Sequence, residues 1–142
     1  MRIYLAGRFD RLDELNHYAD ELCQLGHIVD CRWLQGLHQL HPKPELVDAP
    51  NFDTPMEAMP FAKDDLEDVA NSDLLILFSE HPDSHSKRGG RHVEFGIALA
   101  LGKQIIVVGP RENIFHCLPQ IRRFFTWNQC LIHIANHPSV KE

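Results

Sequence analysis

The chain predicts a single α/β domain, a doubly wound parallel sheet of five strands with helices on both faces. Three observations lead there. Two short runs, Leu74–Phe78 and Gln104–Val108, are almost wholly apolar, as strands buried on both faces of a parallel sheet are. Between them lies an apolar helical segment with a glycine pair, Gly89-Gly90, and a carboxylate, Glu94, in its first turns. Strand-like and helix-like patterns also alternate along the chain.

Each element has its own local reason. Residues 2–6 read as the first strand, which ends at Gly7, where a tight turn can form. Asp10 or Asp13 can cap the helix that follows. In it Leu12, Leu15, Tyr18, Ala19, Leu22 and Leu25 recur at three- and four-residue spacing, and Gly26 stops it. Residues 27–33 read as the second strand. From 34 to 60 periodicity fails, and five prolines and Gly36 punctuate the stretch. A loop of that length is expected to be an active-site flap, with a structural or partner-facing loop as the alternative. Residues 61–70 form a short helix, acidic at its start as the helix dipole prefers, and Asn71-Ser72-Asp73 close it. After Leu74–Phe78 come a polar loop over 79–86, the Glu94 helix, the Gln104–Val108 strand, a short helix around 114–125 and a last strand near 130–134. Right-handed crossovers then bring the loops after Ala6, Phe78 and Val108 to one edge, in a flavodoxin- or Rossmann-like arrangement that binds ligands at its strand ends.

At 142 residues the chain is one domain, long enough to bury about two thirds of its unfolded surface. A net charge of −6, with ten histidines, argues against a nucleic-acid polymer or a membrane surface as partner. No apolar run approaches the roughly 18 residues of a membrane span. The apolar start gives way to Arg8, Asp10 and Arg11, so it reads as a strand rather than a signal segment. The four cysteines form no C-x-x-C pair and read as reduced, mostly buried thiols of a cytoplasmic protein. His38/His41 and His81/His85 lie in polar loops where no cysteine or carboxylate completes a ligand set, so neither a metal nor a cofactor is expected.

Glu94 is the residue that asks for a function. Helices of this apolarity bury against a sheet, and a charge there needs a reason. A carboxylate at a helix start above the strand ends is placed to meet a ligand. The chain lacks G-x-S-x-G, the phosphate loop G-x-x-x-x-G-K-[ST], and a G-x-G-x-x-G after the first strand. Glycosyl transfer, by contrast, runs on carboxylates. One attacks the anomeric carbon through an oxocarbenium-like transition state, and a second group handles the proton. Glu94 and the Asp64/Asp65 pair supply those roles if the fold unites them.

Three segments in order carry a resemblance: Ile3-Tyr4-Leu5-Ala6-Gly7, Asp64-Asp65-Leu66 shortly before Asp73, and the run from Glu94-Phe95-Gly96 to Leu101-Gly102-Lys103. Together they resemble the nucleoside 2-deoxyribosyltransferase family, which includes hydrolases that split nucleoside 5′-monophosphates. The likeness runs from Met1 to about Val108. It implies an enzyme in which Glu94 is the nucleophile, Tyr4 the strand tyrosine that orients it, and Asp65 the aspartate that binds near base or sugar and assists proton transfer. It also implies a homodimer or larger assembly. The apolar tail (Phe124, Phe125, Trp127, Leu131, Ile132) either packs internally or completes a neighbour's site.

One departure redirects the substrate. Transferases of the family often carry an aspartate six residues before the nucleophile, where this chain has Arg88 between Lys87 and Gly89. An arginine cannot accept a proton from a base and prefers an anion. Gly7, Arg8, Ser86, Arg88, Gly89 and Gly90 therefore form the candidate substrate- or phosphate-binding set at the helix start. The rival reading is a non-catalytic nucleotide-binding module, in which Arg88 or Arg91 pairs with Glu94 and quenches it.

Overall fold

The computed structural model describes residues 1–36, 55–83 and 89–138, with side chains from residue 58 onward in the second stretch. Four parallel strands stand side by side in chain order: β1 (Ile3–Ala6), β2 (Leu74–Phe78), β3 (Gln104–Val108) and β4 (Arg122–Phe124). The helices are α1 (Leu12–Gln24), α2 (Pro55–Ala70), α3 (Gly90–Ala100) and α4 (Trp127–Asn136). Every residue of β1 and β2 is buried, which explains why neither strand alternates with polar residues.

Strand pleating sends alternate side chains to opposite faces, and each face has its own pair of helices. Tyr18 of α1 and Trp127 of α4 lie against the Phe78 ring, with centroids 5.4 and 5.7 Å away. The other face carries Tyr4, which bonds to α3, and α3 packs on α2. The layers are thus α1/α4, sheet, α2/α3.

Among the described residues the sheet has four strands, not five. Residues 27–33 do not form a strand: Ile28 makes a single parallel bridge with Arg2, and Arg32–Gln35 turns into a short 3-10 helix. The reason lies in side chains. Trp33 Nε1 donates to the Leu5 carbonyl at 2.7 Å and Cys31 Sγ reaches the same oxygen at 3.4 Å, taking the acceptor that a fifth strand would need. Arg32 is drawn off to α2, where Asp64, Glu67 and Asp68 hold it at 2.8–3.2 Å.

The carboxyl-terminal third also departs from expectation. The helix expected around 114–125 shrinks to a 3-10 turn over Ile114–Cys117, capped by Asn113, which accepts from the Phe115 amide at 3.0 Å. The chain then extends as β4. The strand expected near 130–134 is part of α4 instead. Thr126 caps that helix by accepting from Gln129 N at 3.3 Å, and Cys130 and Ile134, four apart, face the core. Upstream, α2 begins at Pro55 and carries Pro60 within it, so helix takes the end of the expected 34–60 loop. The flap itself lies mostly outside the described residues.

The rudimentary Ile28 bridge flanks β1 on one side and β2 flanks it on the other. The chain thus reverses its direction of winding between β1 and β2. In open α/β sheets the crevice at such a reversal is where ligands sit. Gly109 locks this edge. It has φ of +115°, and a Cβ there would fall 2.6 Å from Ser79 Oγ and 3.2 Å from the Ser79 carbonyl. Only glycine allows the loop after β3 to close on the loop after β2.

Candidate active site

Glu94 sits in the second turn of α3, directly over β1, and accepts a hydrogen bond from the Tyr4 hydroxyl. Tyr4 is wholly buried and Glu94 half-buried. Tyr4 is therefore locked by the sheet, and its hydroxyl fixes where the carboxyl points. Burial pushes the Glu94 carboxyl up to about 8, far from the usual carboxylate range. A group so shifted, at the reversal of an open sheet, has the character of a functional carboxyl.

Both neighbouring aspartates lie on α2. Asp64 is bound at 3.0 Å to Arg32, in the cluster that also holds Glu67 and Asp68. Asp65, the next residue of α2, is half-buried. Helix α2 packs against α3, so the helices that bear Asp65 and Glu94 adjoin.

The expected anion-binding set is only partly brought together. Gly89 caps α3 in the left-handed conformation, with φ of +66°, which a residue with a Cβ adopts at a cost. Gly90 opens the helix, and no described atom lies within 4 Å of where a Cβ would stand. Gly7 lies at the end of β1, close against Leu15. Arg8 turns to Asp10 at 2.8 Å, its side chain a third exposed. Ser86 and Arg88 lie outside the described residues.

Sequence reasoning missed the main charge pairing at this edge. Arg91, buried at 3 % exposure, does not reach for Glu94; it bonds to Glu112 at 2.6 Å. The other Glu112 oxygen accepts the Glu80 amide at 2.9 Å, and His92 Nε2 stands 3.4 Å from the carboxylate. Burial alone would raise the Glu112 carboxyl, but the Glu80 amide, the Arg91 guanidinium and His92 outweigh it and hold it below its ordinary value. No spacing rule pairs residues 91 and 112, because the pair forms across two crossover loops. Nearby, Arg11 joins Glu14 at 2.7 Å and the Ser79 carbonyl at 3.3 Å, fastening α1 to the loop after β2.

Among the described residues, no group of three His, Cys, Asp or Glu stands together to hold a metal, and no helix is long and apolar enough to cross a membrane. His38, His41 and His85 lie outside them. All four cysteines are unbonded to one another; Cys31 and Cys130 are buried, whereas Cys23 and Cys117 are exposed, so the thiols are not mostly buried. In the tail, Trp127 stacks on Tyr18 at 4.5 Å, and Phe125 and Ile132 remain exposed. A cavity of about 330 Å³ opens at the opposite, amino-terminal end of the strands, between Leu74, Gln104, Arg122 and His133, and touches neither Tyr4 nor Glu94.

No protein-family model and no curated protein sequence matches the chain. Solved structures do. The Clostridium botulinum CMP N-glycosidase BcmB superposes with a TM-score of 0.58 at 22% identity, over 94% of this chain and 98% of that one. A 2-deoxyribosyltransferase from the psychrotolerant bacterium Bacillus psychrosaccharolyticus gives a TM-score of 0.62 at 22% identity, over 92% of this chain and 90% of that one. The chain therefore has the fold of these two enzymes, one a nucleotide glycosidase and the other a deoxyribosyl transferase by name, the two activities of the family that its motifs resemble.

Proposed function

We propose that the protein is an enzyme that breaks the N-glycosidic bond of a 2′-deoxyribonucleoside or its 5′-monophosphate and passes the sugar to another base or to water. The observation that carries this reading is the hydrogen bond from wholly buried Tyr4 to half-buried Glu94 at the winding reversal. The likeness in fold to a glycosidase and a deoxyribosyl transferase supports the same class.

Ionised Glu94 attacks the anomeric carbon and forms an ester as the carbon–nitrogen bond breaks. The electron pair of that bond leaves with the base, which takes a proton from Asp65. A second base, or water, then gives a proton back to Asp65, attacks the same carbon and frees Glu94. Because burial lifts the Glu94 carboxyl to about 8, it must lose a proton before it can attack. Donation from Tyr4 favours the ionised form and aims one oxygen. Exclusion of water from the ester decides between transfer and hydrolysis.

The amino-terminal turn of α3 at Gly89 and Gly90 suits an anionic substrate group, with Gly7, Arg8, Ser86 and Arg88 as the remaining members of that set. The binding-module reading required an arginine on Glu94. Arg91 bonds to Glu112, which removes one of the two arginines that reading offered; the other, Arg88, lies outside the described residues. The exposed Phe125 and Ile132 support a dimer or larger assembly, and the unbridged thiols support a reducing, cytoplasmic setting.

Chromatography of released base tests the reading. Wild type and Glu94→Ala are incubated with deoxynucleosides and their 5′-monophosphates, with and without an acceptor base. Release from monophosphates that the variant loses identifies a nucleotide hydrolase, and exchange between free bases identifies a transferase. No turnover by wild type on the whole panel would sink the proposal.

A further inference from the structure

We infer that Glu112 is a positioning residue for Glu94: through Arg91 and the loop after β2 it holds the first turns of α3 at the height the nucleophile needs. The inference rests on the role of Glu94 proposed above. Arg91 lies one helical turn before Glu94, and its guanidinium is held at 2.6 Å by a carboxylate that is itself 11% exposed. The same carboxylate takes the Glu80 amide at 2.9 Å, so one side chain ties the loop after β2 to the helix that follows it. The Glu112 amide in turn donates to His116 Nδ1 at 3.0 Å. His116 is buried, and its ring lies 5.1 Å from that of Phe95, the residue after Glu94. Glu94 is thus bracketed on α3 by two neighbours, Arg91 and Phe95, that both lead back to Glu112. Neither Glu112 nor His116 reaches Glu94 itself by any hydrogen bond described, so the effect runs through helix placement rather than contact with substrate.

Placement is worth much in this chemistry, since an ångström of misalignment costs a nucleophile on the order of 100-fold in rate. Glu112→Gln keeps the shape and removes the charge. It is expected to lower kcat for base release by about 100-fold with KM little changed. Glu112→Gln leaves a buried arginine without its carboxylate and so risks the fold. The double variant Arg91→Met/Glu112→Leu removes both charges and is expected to recover thermal stability but not kcat. Recovery of kcat along with stability, or a Glu112→Gln enzyme that is folded and fully active, would overturn the inference. A second readout needs no turnover: carbon-13 NMR of labelled glutamate, with Glu94 assigned by its loss in Glu94→Gln. The Glu94 titration midpoint is expected to move down in the folded Glu112 variants as the helix loosens and water enters. An unmoved midpoint would count against positioning even if no substrate is found, and wild-type inactivity with a moved midpoint would fault the proposed reaction and not the clamp.

Discussion

Glu94 and Glu112 stand at the same edge of one sheet, yet their surroundings push them in opposite directions. Glu112 has an arginine, a backbone amide and a histidine around it, and its charge is held on despite burial. Glu94 has one phenolic hydroxyl, and burial drives its carboxyl up to about 8. A fully paired carboxylate is spent on structure. An under-paired one keeps its reactivity, and the fold must tolerate the cost of burying it. Pairs of acids driven apart in this way mark acid–base and nucleophilic roles in enzymes.

The largest effect that could break this contrast is chemical. Glu94→Gln should lower base release by at least about a thousandfold, measured by chromatography under single turnover, because the ester cannot form. A variant that keeps a tenth of the activity would end the nucleophile reading. Next comes the proton. Asp65→Asn should cost about 100-fold in kcat, whereas Asp64→Asn should leave kcat intact and barely move the urea midpoint, since it loses only a solvent-screened pairing with Arg32. Tyr4→Phe should cost about tenfold. In wild type kcat/KM should climb with pH toward about 8, and that limb should shift upward in Tyr4→Phe, where the ionised form loses its donor.

The smallest effect sharpens the comparison most directly, because the two acids should tilt stability in opposite senses. The folded protein holds the Glu94 proton up to about 8, whereas an ordinary glutamate releases it near 4.5. The native state therefore binds more protons in that window, and this group's contribution to stability falls as pH rises through it, by at most about 1.4 kcal/mol per pH unit. Glu112 is lowered, so its contribution is present above the ordinary glutamate range and fades as pH falls through its folded value. Urea midpoints against pH should flatten between 4.5 and 8 in Glu94→Gln and lose an acid-side decline in Glu112→Gln. The same slope in both variants would show that neither group titrates as described.

Much of this was legible in the chain itself. Strands β1, β2 and β3 are short apolar runs, buried on both faces, and composition alone marks such runs. Helix α1 announces its buried stripe of Leu15, Ala19 and Leu22 by spacing, and Glu94 stands out as a carboxylate in an apolar helix. Local pattern also holds Tyr4 inside a strand. What it does not hold is any pairing across distance. That Tyr4 faces α3 and not α1 depends on the pleat and the winding of the sheet.

Tertiary structure decided the rest. Whether residues 27–33 become a fifth strand was settled by Trp33 and Cys31 competing for the Leu5 carbonyl and by three acids on α2 claiming Arg32. Whether residues 130–134 form strand or helix turned on the Thr126 cap and on the Phe78 face that α4 covers beside Tyr18. Arg91, named from the sequence as one of two arginines that could pair with Glu94, is a buried partner of Glu112. Hydrophobic period is a property of adjacent residues, so the sequence by itself determined where chain is buried and where it turns. Which donor meets which acceptor depends on groups that only folding brings together, and in this protein those meetings set the charge of Glu112, while burial under the folded chain sets the state of Glu94.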